Sequence, residues 1–193
     1  KTIAAESDAA LVPSYDHDHI IAGQGTVGLE LADDALAMGL PPDQVLIPCG
    51  GGGLSSGTAL ALKSRLPEVD VYAVEPADFD DTARSFATGE RLRVDDAARS
   101  ICDALQTPMP GELTFALNQR LLSGVLTVTD AEVRSAIRFA FKHLKLVVEP
   151  GGAVALAAIL SGKLDTTGKT TAIVLSGGNI DVDLFAEIQA EPN

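Results

Sequence analysis

The sequence predicts an α/β fold: a mostly parallel sheet covered by helices on both faces, a three-layer sandwich. Three observations predict it. Short apolar runs end in glycine or proline, helical stretches rich in alanine and leucine follow them, and the unit strand, loop, helix recurs along the chain. The 193 residues suffice for one domain with a sizeable core, and a hydrophobic content of 46% argues against disorder.

Residues 45–49 (VLIPC) form the first apolar run and lead into glycines, and residues 54–66 read as the helix that follows. Residues 69–75 (VDVYAVE) are a second strand, ended by Pro76. Residues 170–176 (TTAIVLS) are a third, ended by Gly177, Gly178 and Asn179, and residues 125–128 add a short one. A helix is expected over residues 25–38, stopping near Gly39 ahead of Pro41 and Pro42. A second is expected over 130–146, where Thr129 and Asp130 cap an acidic first turn. A third runs over 151–161, with Gly162 just past its end. Residues 89–111, with Pro108 and Pro110, read as loop. There is no internal repeat, low-complexity tract or interdomain linker.

The formal net charge is −13, so nucleic acid and anionic membrane are set aside as partners. This says nothing about substrate sign, because a basic pocket can sit in an acidic protein. Two cysteines, Cys49 and Cys102, form neither a metal cluster nor a disulfide framework, and a reducing, cytoplasmic setting is expected. No apolar run approaches the roughly 18 residues of a membrane span. The first residues, KTIAAES, lack an initiator Met and a signal-peptide pattern, and suggest a piece of a longer chain.

The strongest chemical signal is Gly50, Gly51, Gly52 and Gly53, placed after a strand and before a helix that opens with Leu54. Without side chains the backbone can approach a phosphate closely. Successive N–H groups point inward, and the helix dipole favours the anion. Ser55 and Ser56 are candidate further donors. The alternative is a tight turn where strand and helix pack closely. The run is not a P-loop, because no Lys-Ser/Thr pair follows at the required spacing. Glu75 stands about 20 residues on, where a dinucleotide fold places its ribose carboxylate, but the surrounding segments favour another reading.

Those segments are Gly23-Gln24-Gly25-Thr26, Pro48-Cys49 with the four glycines and Leu54, Val74-Glu75-Pro76, Val148-Glu149-Pro150-Gly151-Gly152-Ala153 and Leu175-Ser176-Gly177-Gly178-Asn179. Together, in this order, they resemble the fold type II pyridoxal-phosphate enzymes, and within them the threonine/serine dehydratases and serine racemases. The resemblance covers nearly the whole chain. It implies the large cofactor-binding domain of the tryptophan synthase β-like fold, incomplete here, with residues 1–193 as most of one domain. It makes the glycines the phosphate cradle and Ser176 the partner of the pyridine nitrogen. A neutral hydroxyl there suits β-elimination better than transamination, because an uncharged ring is the weaker electron sink. On its own, Ser176 also reads as a strand-end turn residue. The resemblance places Glu149 near the cofactor ring; by position alone it is an exposed carboxylate at a helix N-terminus. Asn179 is expected to brace the loop.

The segment from Glu75 to Asp81 (EPADFDD) gathers oxygen donors after a strand, and hard cations such as Mg²⁺ or Ca²⁺ take six or more. The resemblance assigns Glu75, the Phe79 carbonyl and Asp81 as ligands; the segment also reads as an acidic surface loop. His17 and His19 are expected to be solvated, and His143 to lie on a helix surface.

The cofactor's chemistry needs a Schiff-base lysine. In the family that lysine lies in a serine/asparagine-flanked motif of the N-terminal part. Lys1, Lys63, Lys142, Lys145, Lys163 and Lys169 stand in no such motif. The resemblance therefore implies the C-terminal portion of a dehydratase that converts serine or threonine to a 2-oxo acid and ammonia. Serine racemase or 3-hydroxyaspartate dehydratase is the nearest alternative, and a non-catalytic phosphate-ligand binding module is one of another class. Expected partners are a small hydroxy amino acid, the missing N-terminal part and a second copy in a homodimer.

Overall fold

The computed structural model describes residues 6–7 and 9–191. Lys1 lies outside them. Helix α1 (Asp18–Ala37) comes first, then β1 (Gln44–Pro48), α2 (Gly53–Arg65), β2 (Asp70–Pro76), α3 (Asp81–Thr88) and α4 (Glu112–Leu121). β3 (Gly124–Val128), α5 (Asp130–Phe139), α6 (Pro150–Leu160), β4 (Thr171–Ile173) and α7 (Val182–Ala190) follow.

The four strands form one parallel sheet in the order β3-β2-β1-β4. Side chains alternate across it. Val45, Ile47, Val71 and Ala73 face one buried cluster that takes in Ala59 and Leu62 of α2 and Ala32 of α1. Leu46, Val74 and Val128 face another, built from α5, α6 and α7. The three-layer α/β sandwich is therefore as expected. The chain steps from β1 to β2 to β3 in one direction, then returns past β1 to β4. Because βαβ crossovers keep one hand, that reversal puts α5 and α6 on the opposite face from α2.

The main difference from the sequence reading is at glycine-rich helix ends. α1 starts at Asp18 rather than residue 25, with the His17 ring nitrogen accepting from the His19 N–H at 3.2 Å. His17 is thus the helix cap, and both histidines are exposed. Gly25 and Gly28 lie inside the helix because α2 passes close by. A Cβ on Gly28 would sit 2.5 Å from the Thr58 carbonyl oxygen, and one on Gly57 would overlap the Ile21 carbonyl oxygen. Within the Gly23-Gln24-Gly25-Thr26 segment it is Gly25 that serves the helix packing. The helix expected over 130–146 changes to a π turn at Ala140–Leu144 and stops at Lys145, whose φ is +61°.

Three helices escape the sequence reading: α3, α4 and α7. The first two are short, and their first turns are satisfied by carboxylates outside the helix. Glu75 accepts from the Thr82 and Ala83 N–H groups at α3. Asp16 accepts from Glu112, Leu113 and Thr114 at α4, nearly a hundred residues away. A cap supplied from such a distance leaves no local signature. No described helix is long and apolar enough to cross a membrane.

The close α1–α2 crossing makes a direct expectation. Gly57→Ala should destabilise the fold by about 1–3 kcal/mol through overpacking. Gly23→Ala, whose Cβ meets nothing within 4 Å, should be neutral or stabilising by up to about 1 kcal/mol. Urea unfolding of both variants checks this; equal stability of the two would show that the crossing has room to relax.

Candidate functional site

In a parallel sheet the strands point their C-terminal ends the same way, and a crevice opens where the connections diverge. Here that point lies between β1 and β4. The glycine run leaves β1 there, and Ser176 stands just beyond β4. Gly50, Gly51, Gly52, Gly53, Leu54 and Ser176 line one cavity of about 290 Å³, joined by Ser14, Tyr15, Gln24 and Thr107. Another cavity, of about 520 Å³, opens at the opposite end of the sheet beside Pro41, Asp43, Arg65 and Lys169. It sits before the strands begin, away from the chemistry-bearing residues.

The glycines are glycines for steric reasons that can be named. Gly52 caps α2 with φ +90°, a left-handed conformation that L side chains rarely adopt. A Cβ on Gly51 would overlap the Tyr15 ring, and one on Gly52 would sit 2.9 Å from the Thr114 Cβ. The Gly51 carbonyl is turned away from the cavity and accepts from the Thr114 hydroxyl at 2.7 Å and the Gly111 N–H at 3.4 Å. The first-turn N–H groups of α2 have no partner inside the helix and carry its positive end.

Among the described residues, no charged side chain lines the cavity. An anion there is met by main-chain N–H groups and neutral donors. Ser55 and Ser56 are not among those donors. Both are buried, and both hydroxyls donate to the Gly52 carbonyl, at 3.1 Å and 2.6 Å. They hold the loop's shape instead.

Glu149 does not line the cavity either. Its carboxylate is engaged one step back, where Oε2 accepts from the Asn179 N–H at 3.1 Å. The Glu149 N–H donates to the Gly177 carbonyl at 3.0 Å. Glu149 thus pins the Ser176 loop to the start of α6. It is the Asn179 main chain, not its side chain, that takes this bond.

Tyr15 and Asp16 are the residues the sequence reading missed. Asp16 anchors the segment on the N-terminus of α4, and Tyr15 is thereby held over Gly51. Gly111 leaves the space Asp16 needs, since a Cβ there would overlap its carboxylate. Thr107 falls within the stretch read as loop. An aromatic-acid pair ahead of a helix was the available signal, but its partner helix was invisible.

Behind the glycine run lies a buried acidic cluster. Glu75 is 1% exposed and Asp81 2%. Burial pushes the Glu75 carboxyl up to about 8, outweighing its two N–H partners. Burial likewise pushes Asp81 up to about 7. The Asp81 Oδ2 atom is buried without a hydrogen-bond partner. Cys49 packs beside both acids, and burial together with the Glu75 charge pushes its thiol up to about 12, so it stays protonated. Among the described residues, no three His, Cys, Asp or Glu side chains gather as a metal cluster.

Fold and site together define an α/β domain with a glycine-lined cavity at its strand switch point. A family model described as pyridoxal-phosphate dependent enzyme matches residues 1–177, and the chain belongs to that family. It is 39% identical over 188 residues to an L-threo-3-hydroxyaspartate ammonia-lyase of Pseudomonas sp, a match that covers 97% of this chain and 57% of that protein. It is 40% identical over 187 residues to an L-threonine ammonia-lyase of Thermotoga maritima, covering 96% and 45%. The crystal structure of the T.th. threonine deaminase superposes with a TM-score of 0.88 at 42% identity, covering 93% of this chain and 64% of that one. The serine racemase from Dictyostelium discoideum gives 0.84 at 35% identity, covering 94% and 57%. The chain spans about half the length of the curated relatives it matches.

The buried acids set a pH dependence. Folded Glu75 holds its proton to about 8, while the unfolded chain releases it near 4.5. The folded state therefore binds more protons between those values, and stability falls as pH rises through that window. Urea unfolding in chelator-containing buffer should show this fall, and Glu75→Gln should lessen it, leaving the part that Asp81 contributes between its ordinary value of 3.8 and about 7. An unchanged slope in the variant would mean that Glu75 ionises freely.

Proposed function

We propose that this chain forms one wall of the cofactor site of a pyridoxal-phosphate-dependent dehydratase acting on a small hydroxy amino acid, serine or threonine. The observation that carries the reading is the single cavity shared by four glycines at a helix N-terminus and the Ser176 hydroxyl. The cavity of about 290 Å³ beside the glycines leaves room for a phosphate. Bound pyridoxal phosphate would supply an electron sink for loss of the α-proton and the β-hydroxyl. The chain's own residues do the holding. The α2 N–H groups and the glycine backbone would bind the phosphate, Ser176 would donate to the ring nitrogen, and Tyr15 and Leu54 would wall the pocket against water.

None of the described lysines lines this cavity. Lys63 donates to the Pro67 carbonyl, Lys145 to the Lys142 carbonyl, Lys163 pairs with Glu132, and Lys169 bonds Gln44. In this reading the Schiff-base lysine and the substrate loop belong to the length of the relatives that this chain does not span, and the complete enzyme is a homodimer. Relatives named for hydroxyaspartate, threonine and serine racemisation match at similar identity, 36–40%, so identity alone does not choose among those substrates.

Glu75, the Phe79 carbonyl and Asp81 are proposed to hold Mg²⁺ or Ca²⁺, with water completing the shell. The buried, unpartnered Asp81 Oδ2 fits that role. So do two raised carboxyls in one pocket, whose charge a cation would balance. The cation's part is structural: it would hold the loop beneath the cradle.

The test is oxo-acid formation from serine and threonine by purified chain with added cofactor, beside a cofactor-only control. Turnover should not exceed the control. Turnover well above it, abolished by replacing one of Lys63, Lys142, Lys145, Lys163 or Lys169, would overturn this assignment of the base.

A further inference from the structure

Away from the cavities the surface carries a feature that the cofactor site does not explain. Residues 141–147 (FKHLKLV) are all exposed. Four of them are large and apolar: Phe141, Leu144, Leu146 and Val147, between 44% and 51% exposed. The backbone holds them there at a cost. After the π turn Ala140–Leu144, Lys145 takes φ +61°, and it is the only residue other than glycine with positive φ among those described. An L side chain disfavours that conformation. A second segment lies alongside. The Phe141 and Phe185 rings meet edge to face at 5.3 Å. The Val147 carbonyl passes so close to Gly178 that a Cβ there would sit 2.6 Å from its oxygen. The start of α7 therefore borders residues 141–147, and Val182 in its first turn is 79% exposed. Together these side chains make one contiguous apolar face.

The two segments carry opposite charge. Lys142 and Lys145 stand on the first, Asp181 and Asp183 on the second, and all four are exposed. Among the described residues none of the four makes an ion pair, although the segments are neighbours. We propose that this face is the contact between two copies of the chain, related by a two-fold axis that passes between the segments. Rotation about such an axis lays residues 141–147 of each copy on residues 181–185 of the other. The lysines of each copy then meet the aspartates of its partner, twice over, and the apolar side chains close on one another between the two sets of charges. The inference rests on the homodimer of the reading above and names its surface.

Charge complementarity is what selects a second copy as the occupant. An acidic partner or an anionic membrane would be drawn to Lys142 and Lys145 but repelled by Asp181 and Asp183 beside them. A basic partner meets the opposite conflict. The surface that fits offers both signs in matching halves with an apolar strip between, and the chain itself presents such a surface.

Sedimentation velocity over a range of concentrations makes the test, on the full chain and on three variants: Val182→Ser, Asp183→Lys, and Lys142→Glu combined with Lys145→Glu. All these positions are exposed, and circular dichroism with urea unfolding establishes that each variant is folded. The unaltered chain should dimerise, and each variant alone should dimerise at least about ten-fold more weakly. Mixing the Asp183→Lys chain with the Lys142→Glu, Lys145→Glu chain should restore a heterodimer, because opposite charges then face each other in both halves of the contact. A loss that mixing does not restore overturns the pairing of the two segments, and the proposal with it. A dimer that every variant leaves intact overturns the proposal too, and leaves the homodimer standing on another surface. Unaltered chain that stays monomeric at every concentration overturns both the proposal and the homodimer reading. The face then belongs to another partner, first of all the polypeptide that the relatives carry beyond the matched span. Pyridoxal phosphate titration of the same samples reads the cofactor proposal separately, whatever the oligomeric state.

Discussion

The backbone of the glycine run is approached from several directions at once, and the rest of the site is arranged around that crowding. Tyr15 lies against Gly51 and Gly53, Thr114 and Asn118 against Gly52, and Leu105 against Gly50. Any side chain on the run would meet one of these neighbours. Packing this tight makes the loop a fixed surface rather than a flexible one. Its N–H groups are consequently pre-aimed, and an anion need not organise them on arrival. The neighbours come from separate parts of the chain. The Tyr15 segment, the 105–118 stretch and the β1–α2 turn converge only because α4 packs beside α2, with Asp16 tying the first of them to the N-terminus of α4.

That arrangement resolves an apparent electrostatic conflict. The chain carries a net charge of −13, and two buried carboxyls stand behind the cradle. The cavity nevertheless has no charged lining among the described residues. Its attraction for an anion is local: the end of one helix dipole and a set of short hydrogen bonds, effective over a few ångströms. The acidic surface acts over a Debye length and is screened by salt. Desolvation raises both buried carboxyls, Glu75 to about 8 and Asp81 to about 7, so in the absence of a cation they are only partly ionised near neutral pH. Their repulsion of an anion in the cavity is thereby weakened at neutral pH.

How much of this was legible in the sequence follows from the range of the interactions. β1, α2, β2 and α6 were readable because each is specified by its own residues: an apolar run, an alanine-rich helix, a proline or glycine at the end. The cavity residues on those elements were readable too, since a strand–glycine–helix order is local. α3 and α4 were not, because Glu75 and Asp16 supply their caps from outside. Tyr15 was lost for the same reason. Its place over Gly51 depends on Asp16, and Asp16 depends on a helix nearly a hundred residues on. Ser55 and Ser56 were misjudged in a different way. A serine in the first turn after a glycine run can face the anion or fold back on the loop, and spacing alone does not distinguish the two. Both hydroxyls fold back on the Gly52 carbonyl, which also accepts the Ser56 main-chain N–H at 2.9 Å. Glu149 shows the same competition, with the Asn179 N–H taking the carboxylate.

The glycines themselves divide into two groups that sequence cannot separate. Gly25, Gly28 and Gly57 serve helix crossing, and Gly152 lets α6 pass within reach of the Gly177 backbone. These have no part in ligand recognition, yet without them the cradle would not exist. α2 could not lie against α1 at this distance, and its N-terminus would not point into the crevice beside β4. The position of the glycine-lined cavity is therefore set as much by where two helices are allowed to touch as by the four glycines that line it. The likeness to solved enzymes named for different activities is accordingly a likeness of fold, a parallel sheet with its flanking helices.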